Sequence, residues 1–538
     1  MMKKIFLLIF IGLMFSTSLW AAEVDEKTAA AGDVEAQYNL GLQYSKAEGG
    51  PGDKAKALEW YRKAAEKGHV KAQVALGQAY YDSEGVVLNY AKSLEWFQKA
   101  ADQGDAEAQF RVGEAYFNGE GVPANNDEAL KWYKKAVAQG HPRAHVGIGL
   151  IYDQEGPGQN LAEAAKWYRL AAELGDLAGQ YNFGMTLVEG EGVAADPQEA
   201  VKWFLLAAES GDTPARYELG LMYLYGEGVA EDPKEAVRWF RLAAEDGDLD
   251  AQTRLGEMYF GGVGVDLNYE EAAKWFLLAS DWKRPEARFG LGVMRFLGVG
   301  LEKDPAEAAK LFREAAEKGN VESQYNLGLL YLEGQGVAKD PKEAAKWISQ
   351  AAAQGLSEAQ TLLGDMYYEG LGVALDHKEA VKWFRLAAED GDSLARGSLG
   401  AALANGDGVA QDFAEAIKWL SLAANDGNVD AQYNLGAMRF NGEGGPKDYK
   451  EAAKWFRLVA KEGDPDAQFH LGAMLANGEG LAVDYKEALK WFLLAAGKGH
   501  PKAQLALAVM YEEGLGVAKD PAEGAKWRSL AEQAGVKD

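Results

Sequence analysis

The chain has 538 residues, contains no cysteine and carries a formal net charge of −26 at pH 7. The absence of cysteine excludes disulfides, zinc–thiolate sites and thiol nucleophiles. The excess of acidic residues disfavours nucleic acid and anionic lipid as partners and favours neutral or basic ones. The simplest role of such a surface is to keep a helical protein soluble.

The first 21 residues have the pattern of a secretory signal peptide. Two lysines precede an apolar run over residues 5–15, and Ala21 or Ala22 supplies a small residue for cleavage. The run is shorter than the about 17–25 residues that span a bilayer, so an uncleaved membrane anchor is the less favoured alternative. We expect cleavage to change the formal charge from −26 to −28. The product would be a soluble periplasmic or secreted protein without an inserted segment.

Residues 22–31 resemble the end of a recurring helix and predict a half-repeat that caps the N-terminal edge. From residue 32 to residue 538 one pattern returns fourteen times, and of its thirteen intervals twelve are 36 residues and one is 35. The chain is therefore predicted to be one repeat array, with its last repeat as a cap, and not a set of globular domains. The marker residues of the repeats are Trp60, Trp96, Trp132, Trp167, Trp203, Trp239, Trp275, Leu311, Trp347, Trp383, Trp419, Trp455, Trp491 and Trp527.

The stretch Asp232–Gly247 illustrates the helix that carries the marker, which we call the second helix of the repeat. Asp232 is a good N-cap, Pro233 suits the first helical position, and Glu235 completes a pattern resembling a capping box. The apolar residues that follow lie on one side of a helical wheel. Gly247 can adopt the left-handed conformation that ends a helix.

A first helix precedes each second helix, as in residues 323–334. Thirteen of the fourteen first helices carry a mid-helix glycine, such as Gly328. Each costs about 1 kcal/mol relative to alanine, so we expect compensation from a closely packed neighbouring helix whose tryptophan ring covers the glycine. Loops such as 334–337 join the helices, and their two glycines permit a sharp turn. Ala508 and Arg528 depart from this pattern in the last repeat, as a polar end cap requires.

The unit A-x-x-x-G-x-x-x-A-Q-x-x-L-G-x-x-Y, followed by G-x-G-V and E-A-x-K-W-x-x-x-A-A, resembles the Sel-1-like repeat family, a relative of the tetratricopeptide repeat. The resemblance covers residues 32–538. It implies an all-α fold, a right-handed α/α superhelix (solenoid) of about 14 helix-turn-helix repeats. It also implies an adaptor role, so we expect an exported scaffold that binds a protein or peptide in its concave groove, with no catalysis, cofactor or metal.

Two alternative functions remain open. A cysteine-rich bacterial subgroup of the family is linked to β-lactam binding, but this chain lacks those cysteines. Ser280-Asp281-Trp282-Lys283 matches the S-x-x-K of penicillin-recognising enzymes, yet neither S-D-N nor K-T-G occurs. The first alternative is therefore a cell-wall or β-lactam-binding or hydrolysing protein. The second is a secreted effector that engages host proteins.

Two patterns resemble metal sites, and both have simpler interpretations. Asp246, Asp248, Asp250 and Glu257 have an EF-hand-like spacing, but the repeat register places residues from 249 onward in a helix, which cannot wrap an ion. Two imidazoles lie one turn apart in the fourth repeat, at positions 141 and 145, without an obvious third ligand. We interpret the recurring turn histidines, at positions 69, 141 and 500, as exposed turn residues.

Two further patterns favour partner binding. Asn39, Asn182, Asn326 and Asn434 each follow a recurrent glutamine by two residues, and on a concave face their amides could hydrogen-bond an extended peptide. Leucines recur three residues after the marker in nine repeats, consistent with partial burial between repeats, but Glu314 and Gln350 interrupt them. This interruption lies near Trp282, so we expect a joint there between two contact segments.

Overall fold

The computed structural model describes residues 26–46, 51–281 and 284–536. These residues form helices and turns, and none of their helices is long and apolar enough to cross a membrane. The predicted signal peptide and Trp282 lie outside the described residues, so the signal peptide and the expected joint remain predictions. A short helical stretch covers residues 26–30.

Each repeat contributes two helices, which pack as a hairpin where both belong to the same one of the two units described below. They are numbered here in chain order, with odd numbers for first helices and even numbers for second helices. The first helices are α1 Val34–Lys46, α3 Val70–Asp82, α5 Ala106–Asn118, α7 Pro142–Asp153, α9 Leu177–Glu189, α11 Thr213–Tyr225, α13 Leu249–Gly261, α15 Pro285–Leu297, α17 Val321–Glu333, α19 Ser357–Glu369, α21 Ser393–Asn405, α23 Val429–Asn441, α25 Pro465–Asn477 and α27 Pro501–Glu513. The second helices are α2 Pro51–Glu66, α4 Tyr90–Asp102, α6 Asn126–Val137, α8 Leu161–Glu173, α10 Pro197–Glu209, α12 Pro233–Glu245, α14 Tyr269–Asp281, α16 Pro305–Ala316, α18 Pro341–Ala353, α20 His377–Asp390, α22 Phe413–Asn425, α24 Tyr449–Glu462, α26 Tyr485–Gly497 and α28 Pro521–Gln533.

The hairpins form two compact units, Met1–Asn268 and Tyr269–Asp538. The division falls in the seventh repeat, between α13 and α14. Within each unit, a first helix packs against the second helix of its own repeat and against the second helix of the repeat before it. Each hairpin thus buries its apolar surface on its neighbours, which confirms the predicted all-α solenoid.

The second helices begin at the predicted N-caps, although the capping box is wrong. The Asp232 carboxylate accepts from the backbone N–H groups of Lys234 and Glu235, at 3.0 and 3.2 Å. The Asp232 backbone N–H itself donates to the carbonyl of Tyr223 in α11, at 2.8 Å. That donor is therefore already satisfied, and the Glu235 carboxylate pairs instead with Arg238 at 2.9 Å.

The mid-helix glycine is covered by the residue after the tryptophan, so the expectation of a tryptophan ring is wrong. A Cβ on Gly220 would lie 2.6 Å from a ring carbon of Phe240, which is fully buried. Trp239 instead joins an apolar cluster that includes Val201 and Phe204 of the preceding repeat. Because consecutive helical residues point about 100° apart, the two rings serve different contacts: one inside the hairpin and one between hairpins.

The second glycine of most loops is required because the backbone of the preceding second helix lies close to it. Gly228 has φ +69°, and a Cβ there would lie 2.2 Å from the carbonyl oxygen of Pro197, at the start of the preceding second helix. The last repeat differs from the others at the two positions noted in the sequence, Ala508 and Arg528. Arg528 pairs with Glu512 at 2.6 Å, so Ala508 has no ring to accommodate.

Candidate interaction surface

The first helices expose two positions in nearly every repeat while their packing positions are buried. We number positions from the mid-helix glycine, or Ala508 in the last repeat, as position 0. The leucine-rich position −1 and position 0 are buried throughout, whereas positions −2 and +1 are partly or fully exposed in nearly all repeats. We call the residues at positions −2 and +1 the first-helix face. Position −2 holds Asn39, Ala75, Arg111, Gly147, Asn182, Glu218, Arg254, Gly290, Asn326, Leu362, Ser398, Asn434, His470 and Ala506, and position +1 holds Leu42, Gln78, Glu114, Leu150, Met185, Leu221, Glu257, Val293, Leu329, Asp365, Ala401, Ala437, Ala473 and Val509.

The recurrent glutamine at position −4 is a packing residue between repeats and does not belong to the first-helix face. The Gln73 side-chain amide donates to the carbonyl of Ala65, near the end of the preceding second helix, at 3.1 Å. The bond satisfies a carbonyl that a helix end leaves without an intrahelical partner. Arg216 makes the same contact with Ala208 at 3.1 Å. Position −4 therefore connects consecutive hairpins, and this explains why it recurs.

The four predicted asparagines lie on the first-helix face but not together. Asn39 is exposed, and Asn182, Asn326 and Asn434 are partly buried. The Asn326 side-chain amide donates to the carbonyl of Glu322 at 2.8 Å, so one of its donors is used within its own helix. Within a unit the asparagines are three or four repeats apart, on the order of 30–40 Å at usual helix spacings. They form separate points of contact, not a continuous ladder.

The first-helix face carries charge in the first unit. Arg111 pairs with Glu107 at 2.8 Å and with Glu114 at 3.0 Å, and burial raises the pKa of the Glu114 carboxyl. Arg254 pairs with Glu257 at 2.9 Å in the same way. These pairs give the surface local features that a partner could recognise by charge and shape.

The same face is mostly apolar in the second unit. Its position +1 holds valine, leucine or alanine in six of seven repeats, and Asp365 is the exception. Desolvation and the neighbouring carboxylates of Glu369 and Asp392 raise the pKa of Asp365. The two units therefore offer surfaces of different chemistry.

The turn histidines are structural, and the expectation that they are exposed is wrong. The His69 side chain is 15% exposed, caps α3 by accepting from the Ala72 backbone N–H at 3.2 Å, and stacks on Tyr38 at 4.6 Å between ring centroids. Its other ring nitrogen lies 3.0 Å from Glu35. His141 and His500 repeat this arrangement.

The other residues singled out as chemically suggestive are held by helix contacts. Asp248 caps α13 by accepting from the Ala251 backbone N–H at 2.7 Å, and Asp246 pairs with Arg216. The Ser280 hydroxyl donates to the Leu277 carbonyl at 3.0 Å. Within the described ranges, no three His, Asp or Glu side chains are grouped as metal ligands would be.

The leucines three residues after the marker are only partly buried in seven of nine repeats, whereas Leu170 and Leu242 are less exposed. Leu386 and Leu494 are 48% and 52% exposed. In the first three repeats a lysine occupies this position, and its amino group lies over the marker ring, as with Lys135 at 3.4 Å from Trp132. The second helices therefore present a second partly apolar surface.

Comparisons with known proteins agree with this architecture. A model described as the Sel1 repeat matches residues 34–69, 70–105, 106–141, 142–176, 177–212, 213–248, 249–281, 285–320, 321–356, 357–392, 395–428, 429–464, 465–500 and 501–536. The chain is 33% identical to c5321, "a protective antigen present in uropathogenic Escherichia coli strains displaying an SLR fold", with a TM-score of 0.63, over 82% of this chain and 87% of that one. A Sel1 repeat protein from Oxalobacter formigenes is 30% identical over 61% of this chain and 93% of that one, with a TM-score of 0.43. A comparison with curated proteins gave no match.

Proposed function

Because the chain belongs to the Sel1 repeat family, whose solenoids are typically protein–protein interaction scaffolds, we propose that it holds a protein or peptide partner against the first-helix face. By the family resemblance, this face lines the concave groove of the array. The partner is neutral or basic overall, since the chain carries a net charge of −26.

One observation supports this proposal: the buried positions of the first helices are nearly constant from repeat to repeat, while the first-helix face varies. Leucine at position −1 and glycine at position 0 recur because buried packing demands them. Position −2, one residue away, changes among asparagine, arginine, glutamate, glycine, leucine, serine, histidine and alanine. A partly exposed position tolerates such changes at small cost in stability. The array can therefore present a different side chain at every step, as a surface specific for one partner requires.

Envelope cross-linking followed by mass spectrometry tests the proposal. We expect a defined partner to be captured by the full chain and lost in a variant that replaces Asn39, Asn182, Asn326 and Asn434 by alanine. The matched control replaces Gln198 and Asn425, which are exposed on second helices, and should retain the partner. Both variants should keep the helical circular dichroism of the parent. Equal capture by the two variants would remove the asparagines from the binding surface.

The second part of the proposal is export to the periplasm or beyond. The charged start and apolar run of residues 1–21 support it. The relative c5321 is described as a protective antigen, and a location accessible to antibodies fits that description. Cell fractionation should find the full chain in the periplasm or medium, with its N-terminus cut near Ala21, and should find a variant without residues 1–21 in the cytoplasm. An uncut, cytoplasmic full chain would refute export.

A further inference from the structure

A cavity of about 650 Å3 opens on the first-helix face of the second unit, between α25 and α27. Three of its lining residues, Ala473, Ala506 and Val509, belong to that face. Phe469 and Phe492 contribute aromatic rings to the wall. We call this cavity the socket.

The socket exists because two rings of the preceding repeat are absent here. In the pair of helices α23 and α25, Phe440 at position +4 and His470 at position −2 lie 5.9 Å apart between ring centroids. His470 also stacks on Phe456 at 4.9 Å. One repeat later the corresponding residues are Ala476 and Ala506, and both line the socket. Substitution of two rings by two methyl groups leaves an apolar space where the preceding repeat has aromatic rings.

The charge at the mouth of the socket differs from that of the two preceding repeats. Position −6 is acidic in the two preceding repeats, as Asp430 and Asp466, but is Lys502 at the socket. Lys502 is exposed. Among the described residues it has no carboxylate within ion-pair distance. A cation therefore stands beside an apolar cavity on an otherwise acidic protein.

We propose that the socket receives a large aromatic side chain from the protein partner, and that an acidic residue next to that aromatic residue pairs with Lys502. The proposal rests on the proposed function, because it places a contact of the same partner on the same face. The aromatic side chain replaces the missing rings and packs on Phe469 and Phe492. The carboxylate pairs with Lys502, the one cation among the residues that line the socket. The acidic residue is a local requirement, compatible with a partner that is neutral or basic overall.

Short peptides test the socket without the natural partner. The probe is the blocked hexapeptide Gly-Ser-Phe-Asp-Ser-Gly, and the controls replace its phenylalanine by alanine or its aspartate by asparagine. Saturation-transfer NMR with the full chain should detect the probe. We expect the alanine peptide to bind at least about tenfold more weakly, since burial of one aromatic side chain is worth that factor or more. The asparagine peptide should lose about threefold to tenfold.

Two variants copy the preceding repeat, so they introduce side chains that this fold already accommodates at those positions. Ala476→Phe with Ala506→His should fill the socket and abolish probe binding. Lys502→Asp should weaken the aspartate peptide and leave the asparagine peptide unchanged. The matched control Lys71→Asp, at the same position of the second repeat, should change neither. Thermal unfolding of each variant should match that of the parent.

Several outcomes would overturn the proposal. Undiminished binding to the variant with Ala476→Phe and Ala506→His would show that the peptide binds outside the socket. Equal binding of the phenylalanine and alanine peptides would show that the socket does not receive an aromatic side chain. Equal binding of the aspartate peptide to the parent and to Lys502→Asp would show that no carboxylate of the partner pairs with Lys502. Decanoate that binds more tightly than the peptide and displaces it would assign the socket to a small amphiphile. None of these results bears on partner capture through the asparagines, so the socket and the proposed function can fail separately.

Discussion

Replacement of Gly220 by alanine tests the packing on which the whole array depends. In an unhindered helix interior this change stabilises by about 1 kcal/mol, because alanine has the higher helix propensity. Here the new methyl group would lie 2.6 Å from the ring of Phe240. That ring is fully buried, so it cannot move aside without displacing its neighbours. Overpacking of a rigid core costs about 1–3 kcal/mol. We therefore expect a net loss of up to about 2 kcal/mol.

Native-state hydrogen exchange is the suitable measurement, because repeat arrays open locally and do not unfold in a single step. Amides of α11 and α12 should exchange faster in Gly220→Ala, by up to about thirtyfold if the loss reaches about 2 kcal/mol. The matched control is Gly497→Ala in α26, where a Cβ would meet no described atom within 4 Å. That variant should exchange no faster than the parent. If both alanines slowed exchange equally, the assigned role of the ring would be refuted.

Three further predictions concern groups that hold the hairpins together. Gln73→Met should leave the Ala65 carbonyl without its side-chain donor and cost about 1–3 kcal/mol, measured by exchange in the second repeat. A hydrogen bond from His141 lowers the pKa of the Glu107 carboxyl to about 2, so its stabilisation is present above the unfolded value near 4.5 and is lost as pH falls towards 2; Glu107→Gln should remove that part of the pH dependence. Burial lowers the pKa of His470, so its contribution to stability is complete above the unfolded value of about 6.5 and declines as the pH falls below it; protection factors of the α25 amides, which correct for the intrinsic pH dependence of exchange, should fall on acidification in the parent but not in His470→Phe.

Local features of this structure could be predicted from sequence because they depend on neighbours along the chain. The N-cap at Asp232 and the turn at Gly228 follow from residue chemistry alone. The ring over Gly220 could not be assigned, because Trp239 and Phe240 are adjacent and only the packed hairpins determine which of them points inward. The prediction of a capping box was wrong for a related reason: the Asp232 backbone N–H donates to the Tyr223 carbonyl of the preceding helix, a contact that only the packed hairpin shows.

The candidate site was less predictable than the fold. The asparagines attract attention as polar residues in a recurring pattern, but only the structure shows that three of them are partly buried and that Asn326 donates within its own helix. The socket has no motif, since alanine is the commonest core residue of these repeats. Ala476 and Ala506 become informative only when they are compared with Phe440 and His470, which occupy the same positions one repeat earlier.

The same comparison explains how a regular array can hold a specific partner. Each first helix turns one side towards the second helices, where glutamine, leucine and glycine are fixed by hydrogen bonding and packing, and turns the other side away from them. Substitution on the outer side changes what the array presents without altering how it stacks, and loss of a side chain there creates a cavity where its neighbours have rings. A position in this protein therefore gains a functional meaning where it departs from the equivalent position in adjacent repeats, and Lys502 beside the socket combines such a change of charge with such a loss of volume.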